Sequence, residues 1–195
     1  MEHDIERRIQ GGGIELRAGA DGKAPVIVLR PIVFGQRSVD LGGFVEIVDP
    51  GAVTKALEAD DIMALWQHRG DQVLGRTASK TMRASADKTG VVAEIDAPDT
   101  QLGRDVVTLI KRGDVSGASF GFRTVRDRWE TLADKTVLRT LLEVRLFDFS
   151  PVTFPAYPQT TAAMRSLQAW EAEKGGGEMP DERARRRRRI ALASV

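Results

Sequence analysis

Cysteine is absent from this 195-residue chain, histidine occurs twice and tyrosine once. Without thiols the chain has no disulfide framework, no Cys-ligated zinc and no thiol nucleophile. With so few histidines, a metal site in the body would have to be built almost wholly from carboxylates, so no metal or cofactor is expected. Long apolar runs are missing as well. Nothing approaches the roughly 18 consecutive apolar residues of a membrane span, and the opening "MEHDIERRIQ" carries too much charge for a secretory signal. A charge excess of one sign is also lacking, since the net charge is only +1. Even that excess is local: residues 175–195 hold 6 Arg against 3 acids, which leaves 23 Lys+Arg and 25 Asp+Glu in the rest. A slightly acidic body does not suit phosphate binding through counterion release, so nucleic-acid contact is confined to Arg185–Arg189.

What is present is a succession of short β-type runs with a few helical ones. "VIVLRPIVF" at 26–34 reads as a strand, with Pro31 marking an edge, a bulge or a break. After a Gly-Gly turn comes "FVEIV", then Asp49 and Pro50 open a helix reaching about Glu58. "IMALWQH", a turn at "RGD" and "QVLGRTASKTMRASADKTGVVAEIDAP" supply further short strands. "TQLGRDVVTLIKRGD" is the clearest helix: Leu102, Val106, Leu109 and Ile110 recur at helical spacing and Gly113 stops it. The longest strand signals are "VSGASFGFRTVRDRWE" and "KTVLRTLLEVRLFDFSPVTF", followed by a helix from Thr160 to Lys174. This pattern predicts an α+β domain over residues 1–174, built on a mainly antiparallel β-barrel ringed by a few helices, with its core at about 26–165. After "GGG", residues 175–195 read as a flexible basic tail.

Candidate chemistry is sparse. His3 lies in a solvated terminal segment, whereas His68 ends the "IMALWQH" run just before a turn, where sites are commonly built on a rigid scaffold. In "GDVSGASFGFR", strand parity puts Ala118, Phe120 and Phe122 on one face and Ser119, Gly121 and Arg123 on the other. The aromatic face is the core, so Ser119 is expected to point outward onto a surface kept bare by Gly117 and Gly121. A serine hydroxyl needs a neighbouring base to become a nucleophile, and an imidazole is suited to that at neutral pH. Spacing alone leaves two readings open: a Ser119–His68 pair, or a small residue on a strand surface and a structural histidine.

Four blocks in order, "DLGGFVEIVDPGAV", "ALWQHRGDQVLGRT", "LIKRGDVSGASFGFR" and "LLEVRLFDFSPVTFPAYPQT", resemble the prohead protease family of tailed phages and gene transfer particles. The correspondence covers residues 26 to about 165. Gln67 stands where that family commonly has Asn, Val53 where Phe is common and Asp148 where Glu is common. The resemblance implies a serine endopeptidase that cuts the scaffolding portion of the major capsid protein, and itself, inside the immature capsid in the bacterial cytoplasm. It also implies a fold similar to herpesvirus assemblin, with the site on the outer barrel face. On the matching positions, Ser119 is then the nucleophile, His68 the general base, and Gly117 and Gly121 leave room for a substrate strand.

The group that orients His68 is expected to be Glu143, with Asp148 the alternative. Parity places Glu143 with Arg139 and Arg145 on the polar face, and Asp148 with Leu138, Leu142, Val144 and Leu146; a bulge near Phe147 would reverse that choice. Backbone amides are better oxyanion donors than Arg123 or Arg145. Partners implied are the capsid protein, its scaffolding region and the chain itself, including a homo-oligomer and self-trimming at bonds such as Ala193–Ser194. Two rival classes are a non-catalytic scaffold-binding protein, disfavoured by the presence of both Ser119 and His68, and a nucleic-acid binder acting through the tail.

Overall fold

Two runs of alternating residues, each too long for an ordinary strand, pair with each other along their whole length. The computed structural model describes residues 5–9, 12–19, 24–153 and 161–174. His3, Arg185–Arg189, Ala193–Ser194 and the whole tail expected at 175–195 lie outside the described residues.

In chain order the strands are β1 (Glu6–Ile9), β2 (Ile14–Arg17), β3 (Val26–Val33), β4 (Val45–Val48), β5 (Met63–Leu65), β6 (Val73–Arg76), β7 (Met82–Ala86), β8 (Gly90–Asp96), β9 (Gly117–Thr131) and β10 (Val137–Val152). The helices are α1 (Thr54–Ala59), α2 (Gln101–Arg112) and α3 (Thr161–Lys174). Asp49 starts the first helical region as its sequence suggests, its Oδ1 accepting from the Gly51 N–H at 2.8 Å, but the first turn, Pro50–Val53, is a tight 3-10 turn that leads into α1. Thr100 caps α2 by accepting from Gly103 N–H at 3.1 Å, and Gly113 ends it at φ 83°, a left-handed conformation that glycine adopts without a Cβ penalty.

The strands form two sheets. One runs β1-β9-β10-β5-β6, with β4 also pairing in parallel along β10; the other runs β2-β3-β8-β7. Their facing sides bury Ile27, Leu29, Ile95, Phe120, Leu141 and Phe149 in a shared core. The barrel expected from the sequence is not closed, since no ladder among the described residues joins the two sheets. The chain crosses from β6 to β7 through a turn that threonine hydroxyls hold. Thr77 Oγ1 accepts from Ile62 N–H and Thr81 Oγ1 from Arg76 N–H, both at 2.9 Å. At the far end of the β9–β10 hairpin a smaller cluster forms, in which Ala163 and Leu167 of α3 pack with Leu41 and Phe44 against Trp129.

The alternation expected along β10 fails in an informative way. Arg139 is not on a solvated face with Glu143 and Arg145; it is 1% exposed. Its guanidinium donates to Glu6 Oε2 at 2.8 Å, Glu46 Oε2 at 3.0 Å and Asp127 Oδ2 at 2.7 Å. Arg8 completes the cluster with bonds to Glu6 Oε2 at 2.6 Å and Glu46 Oε1 at 2.9 Å. Two guanidiniums and two buried carboxylates therefore balance one another between β1, β4, β9 and β10, and the third carboxylate, Asp127, carries the remaining negative charge at a partly exposed position. Burial alone would push the Glu6 carboxyl up, but the charges of Arg139 and Arg8, together with hydrogen bonds from Arg139 and Thr124, outweigh it and hold Glu6 below the ordinary value.

Removing one partner from such a cluster strands buried charge. Arg139→Met is expected to cost about 3–5 kcal/mol in chemical denaturation at neutral pH. Because the folded-state pKa of Glu6 is depressed, its contribution is full above the ordinary glutamate value of about 4.3 and is lost as pH falls through the depressed one. Glu6→Gln should accordingly lower stability at pH 7 and flatten the acid limb of the stability profile. An unchanged acid limb would show that Glu6 does not carry it.

Candidate active site

Three elements converge on Ser119. The residue sits in β9 opposite Ser150 of β10, with Asp148 opposite Gly121. The register slips between Leu146 and Asp148: Leu146 pairs with Phe122, the next β9 partner, Gly121, pairs with Asp148, and Phe147 is the extra residue of a bulge. One extra residue inverts the parity of everything after it. Leu146 and Phe149 both face the core, and Asp148 and Ser150 are thereby turned to the face that carries Ser119.

His68 arrives from the end of β5, which pairs in parallel with β10 at Asp148 and Phe149. The strand stops at Leu65 and the chain turns tightly through Trp66–His68, with Gln67 at φ 54° and His68 at φ 59°. Two successive left-handed residues without glycine are strained, and such strain persists only where surroundings enforce it. Here Ser150 Oγ accepts from the His68 backbone N–H at 3.3 Å and Gln67 Nε2 donates to Thr153 Oγ1 at 3.0 Å. The left-handed region is also the one that Asn, the commoner residue at position 67 in the resembled family, tolerates best.

The side chains form a continuous relay. His68 Nδ1 is 2.5 Å from Asp148 Oδ2, and His68 Nε2 is 2.6 Å from Ser119 Oγ. Ser150 Oγ donates to the same Asp148 oxygen at 2.8 Å, which fixes the carboxylate from its other side. With Nδ1–H donating to Asp148, the lone pair of Nε2 is directed at the Ser119 hydroxyl. That arrangement can withdraw the hydroxyl proton as the oxygen attacks a carbonyl. The group is shielded from water: Ser119 and Ser150 are buried and the His68 side chain is 11% exposed. Among the described residues, no group of three or more His, Asp or Glu side chains could hold a metal ion.

Several expectations need correction. Glu143, preferred as the acid, does not meet His68; its carboxylate receives Lys55 Nζ at 3.0 and 3.1 Å, because the bulge gives Asp148 the facing position instead. The room beside Gly121 is not open to a substrate. An ideal Cβ there would lie 2.3 Å from Asp148 Oδ1, so glycine is required to admit the carboxylate, while a Cβ on Gly117 would be 3.1 Å from Val152. Ser119 does not face solvent either: it is buried, its hydroxyl held between the His68 ring and the Arg8 carbonyl of β1. Arg145 is engaged with Asp60 at 2.5 Å and Arg123 lies over the Phe147 ring. Sequence reasoning missed Ser150, whose signal was its two-residue spacing from Asp148, and the whole of β1.

Compared with known proteins, residues 15–174 match the family model described as caudovirus prohead serine protease. No curated protein matches the chain. The capsid assembly protease gp21 of bacteriophage T4 is similar in structure at TM-score 0.47 and 11% identity, over 77% of this chain and 98% of that one.

The steric argument yields a direct test. Gly121→Ala should displace the Asp148 carboxylate and abolish the far-downfield proton resonance of a strongly bonded His68 Nδ1–H, whereas Gly117→Ala, whose nearest obstacles are the side chain and carbonyl oxygen of Val152 and not Asp148, should keep it. Persistence of that resonance in Gly121→Ala would refute the role given to the glycine.

Proposed function

Because the chain belongs to the caudovirus prohead serine protease family, we propose that it hydrolyses capsid protein through Ser119 as nucleophile, His68 as general base and Asp148 as the acid that orients the imidazole. The observation that carries this reading is the unbroken relay from Asp148 Oδ2 through both ring nitrogens to Ser119 Oγ, at 2.5 and 2.6 Å.

In the first half-reaction Ser119 Oγ attacks the scissile carbonyl carbon and its proton passes to His68 Nε2. Asp148 stabilises the imidazolium without taking the proton from it. The tetrahedral adduct collapses, the C–N bond breaks and the leaving amine takes the proton from Nε2, which leaves an acyl-Ser119 ester. Water then repeats the sequence, losing a proton to Nε2, and the ester oxygen of Ser119 recovers it as the acid product departs. Oxyanion stabilisation falls to backbone N–H groups near Ser119, since Arg145 is paired elsewhere.

The substrate region is the scaffolding portion of the major capsid protein, and the setting is the interior of the immature capsid in the host cytoplasm. The chain itself is a second substrate. An extended polypeptide suits a nucleophile placed on a strand, where main-chain bonds can supply binding and side-chain pockets selectivity.

Co-expression with the capsid protein, with new termini mapped by mass spectrometry, tests the assignment. Ser119→Ala, His68→Ala and their double variant should each lower cleavage by roughly the same large factor, because residues acting as one unit are not additive. Asp148→Asn should fall by about 10⁴ in kcat, while Glu143→Gln, which breaks only an exposed pair with Lys55, should remain near wild type. Normal processing by Ser119→Ala, or a severe Glu143→Gln with a mild Asp148→Asn, would sink this mechanism.

A further inference from the structure

Ser119 Oγ has a second neighbour besides His68. The hydroxyl donates to the backbone carbonyl oxygen of Arg8 at 2.9 Å, which sets two acceptors, Arg8 O and His68 Nε2, against a single proton. Arg8 belongs to β1, which pairs antiparallel with β9 in the register Glu6 with Phe122, Arg7 with Gly121, Arg8 with Phe120 and Ile9 with Ser119. The other edge of β9 is already taken by β10 along the same residues. The β1 side is therefore the one edge at which an extended peptide could add to the nucleophile's strand, and the chain's own residues 6–9 occupy it.

Resting on the reading of Ser119 as nucleophile, we propose that β1 is an internal occupant of the peptide-binding edge, an autoinhibitory strand that must leave before a substrate strand can add to β9. Its pose is that of an inhibitor. A carbonyl that accepts a hydrogen bond from the serine presents its oxygen to the hydroxyl, whereas attack requires the carbon to face Oγ and the oxygen to be turned to other donors. The docked strand also draws on the proton that His68 needs.

The charge cluster shows how β1 can be both secure and removable. Glu6 and Arg8 turn inward, while Arg7 is exposed. The inward pair is one carboxylate and one guanidinium, so β1 brings no net charge to the cluster. If it leaves, Arg139 keeps Glu46 at 3.0 Å and Asp127 at 2.7 Å. Departure thus leaves no buried charge of either sign without a partner, the circumstance that makes breaking such clusters costly. Among the described residues β1, like β4 and β6, has a single neighbour and only four residues, so few ladder bonds must break for it to leave.

A reversible lock separates this reading from a purely structural role. Extending the β1–β9 register one step beyond Glu6 and Phe122 sets Ile5 opposite Arg123, and the chain has no cysteine of its own. Ile5→Cys with Arg123→Cys can therefore pin the strand by one disulfide. Labelling of Ser119 by a fluorophosphonate and cleavage of purified capsid protein are followed in the oxidised and reduced forms of this one variant, beside wild type and a chain that begins at residue 12. Reactivity scales with the population of the open state, so oxidation should slow both by at least about tenfold, with recovery on reduction. The shortened chain should exceed wild type. Equal rates in the oxidised and reduced forms overturn the proposal even if the shortened chain fails to fold. A new terminus at Ile9 that is absent from Ser119→Ala overturns it in another way, by making Arg8 a substrate carbonyl. Absence of labelling in every form would instead remove the nucleophile assignment on which the inference stands.

Discussion

The geometry of the site depends on one extra residue in β10. Phe147 has no partner on β9, and the slip it creates turns Asp148 and Ser150 toward Ser119 while Leu146 and Phe149 both stay in the core. A regular ladder could not do this, because side chains alternate strictly with period two. The bulge costs a local break in pairing and returns a carboxylate at the spot where the imidazole lands. Gly121 is the complementary concession on β9, since a Cβ there would collide with Asp148 Oδ1 at 2.3 Å. Bulge and glycine work as one device, and neither is useful without the other.

His68 is held by the same stretch of β10. Its strand, β5, lies in parallel register with Asp148 and Phe149, its backbone N–H reaches Ser150 Oγ, and its ring reaches Asp148. The strained turn through Gln67 and His68 is thus tolerated because β10 determines where it must end. Ser150 links both parts, bonding to the histidine backbone and to the carboxylate that orients the histidine ring. Ser119 and Asp148 are therefore placed by a strand ladder and His68 by a tight turn that β10 anchors, a footing on which hydrogen-bond distances can be kept within narrow limits.

The buried charges serve a different end. Apolar side chains of the same volume would hold β1 at least as well, since desolvation consumes much of what an ion cluster gains. What the cluster adds is the choice of strand and register, because only a segment with an acid and a base two residues apart can complete Arg139 and Glu46. That specificity seats the Arg8 carbonyl on Ser119.

Much of the architecture was legible in the chain because its signals are local. The α2 boundaries follow from Thr100 and Gly113, the long hairpin from two alternating runs, and the core face of β9 from Phe120 and Phe122. Ser119 and His68 were nameable because few residues could do chemistry and the motif order resembled a known family. Period-two reasoning then failed on β10 at two places. Arg139 was assigned to the polar face with Glu143 and Arg145 because nothing local announces that Glu6 and Glu46, from strands far away in sequence, will pair with it in the interior. Glu143 was preferred over Asp148 because a bulge has no signature in composition: Phe147 looks like any other aromatic in a strand. The sequence by itself determined which residues could react and which faces were apolar, since both follow from side-chain chemistry and short-range periodicity. Only the tertiary structure decided which carboxylate meets His68, that two sheets stay open, and that β1 pairs beside Ser119, because register and strand neighbours are fixed by contacts between residues distant in the chain.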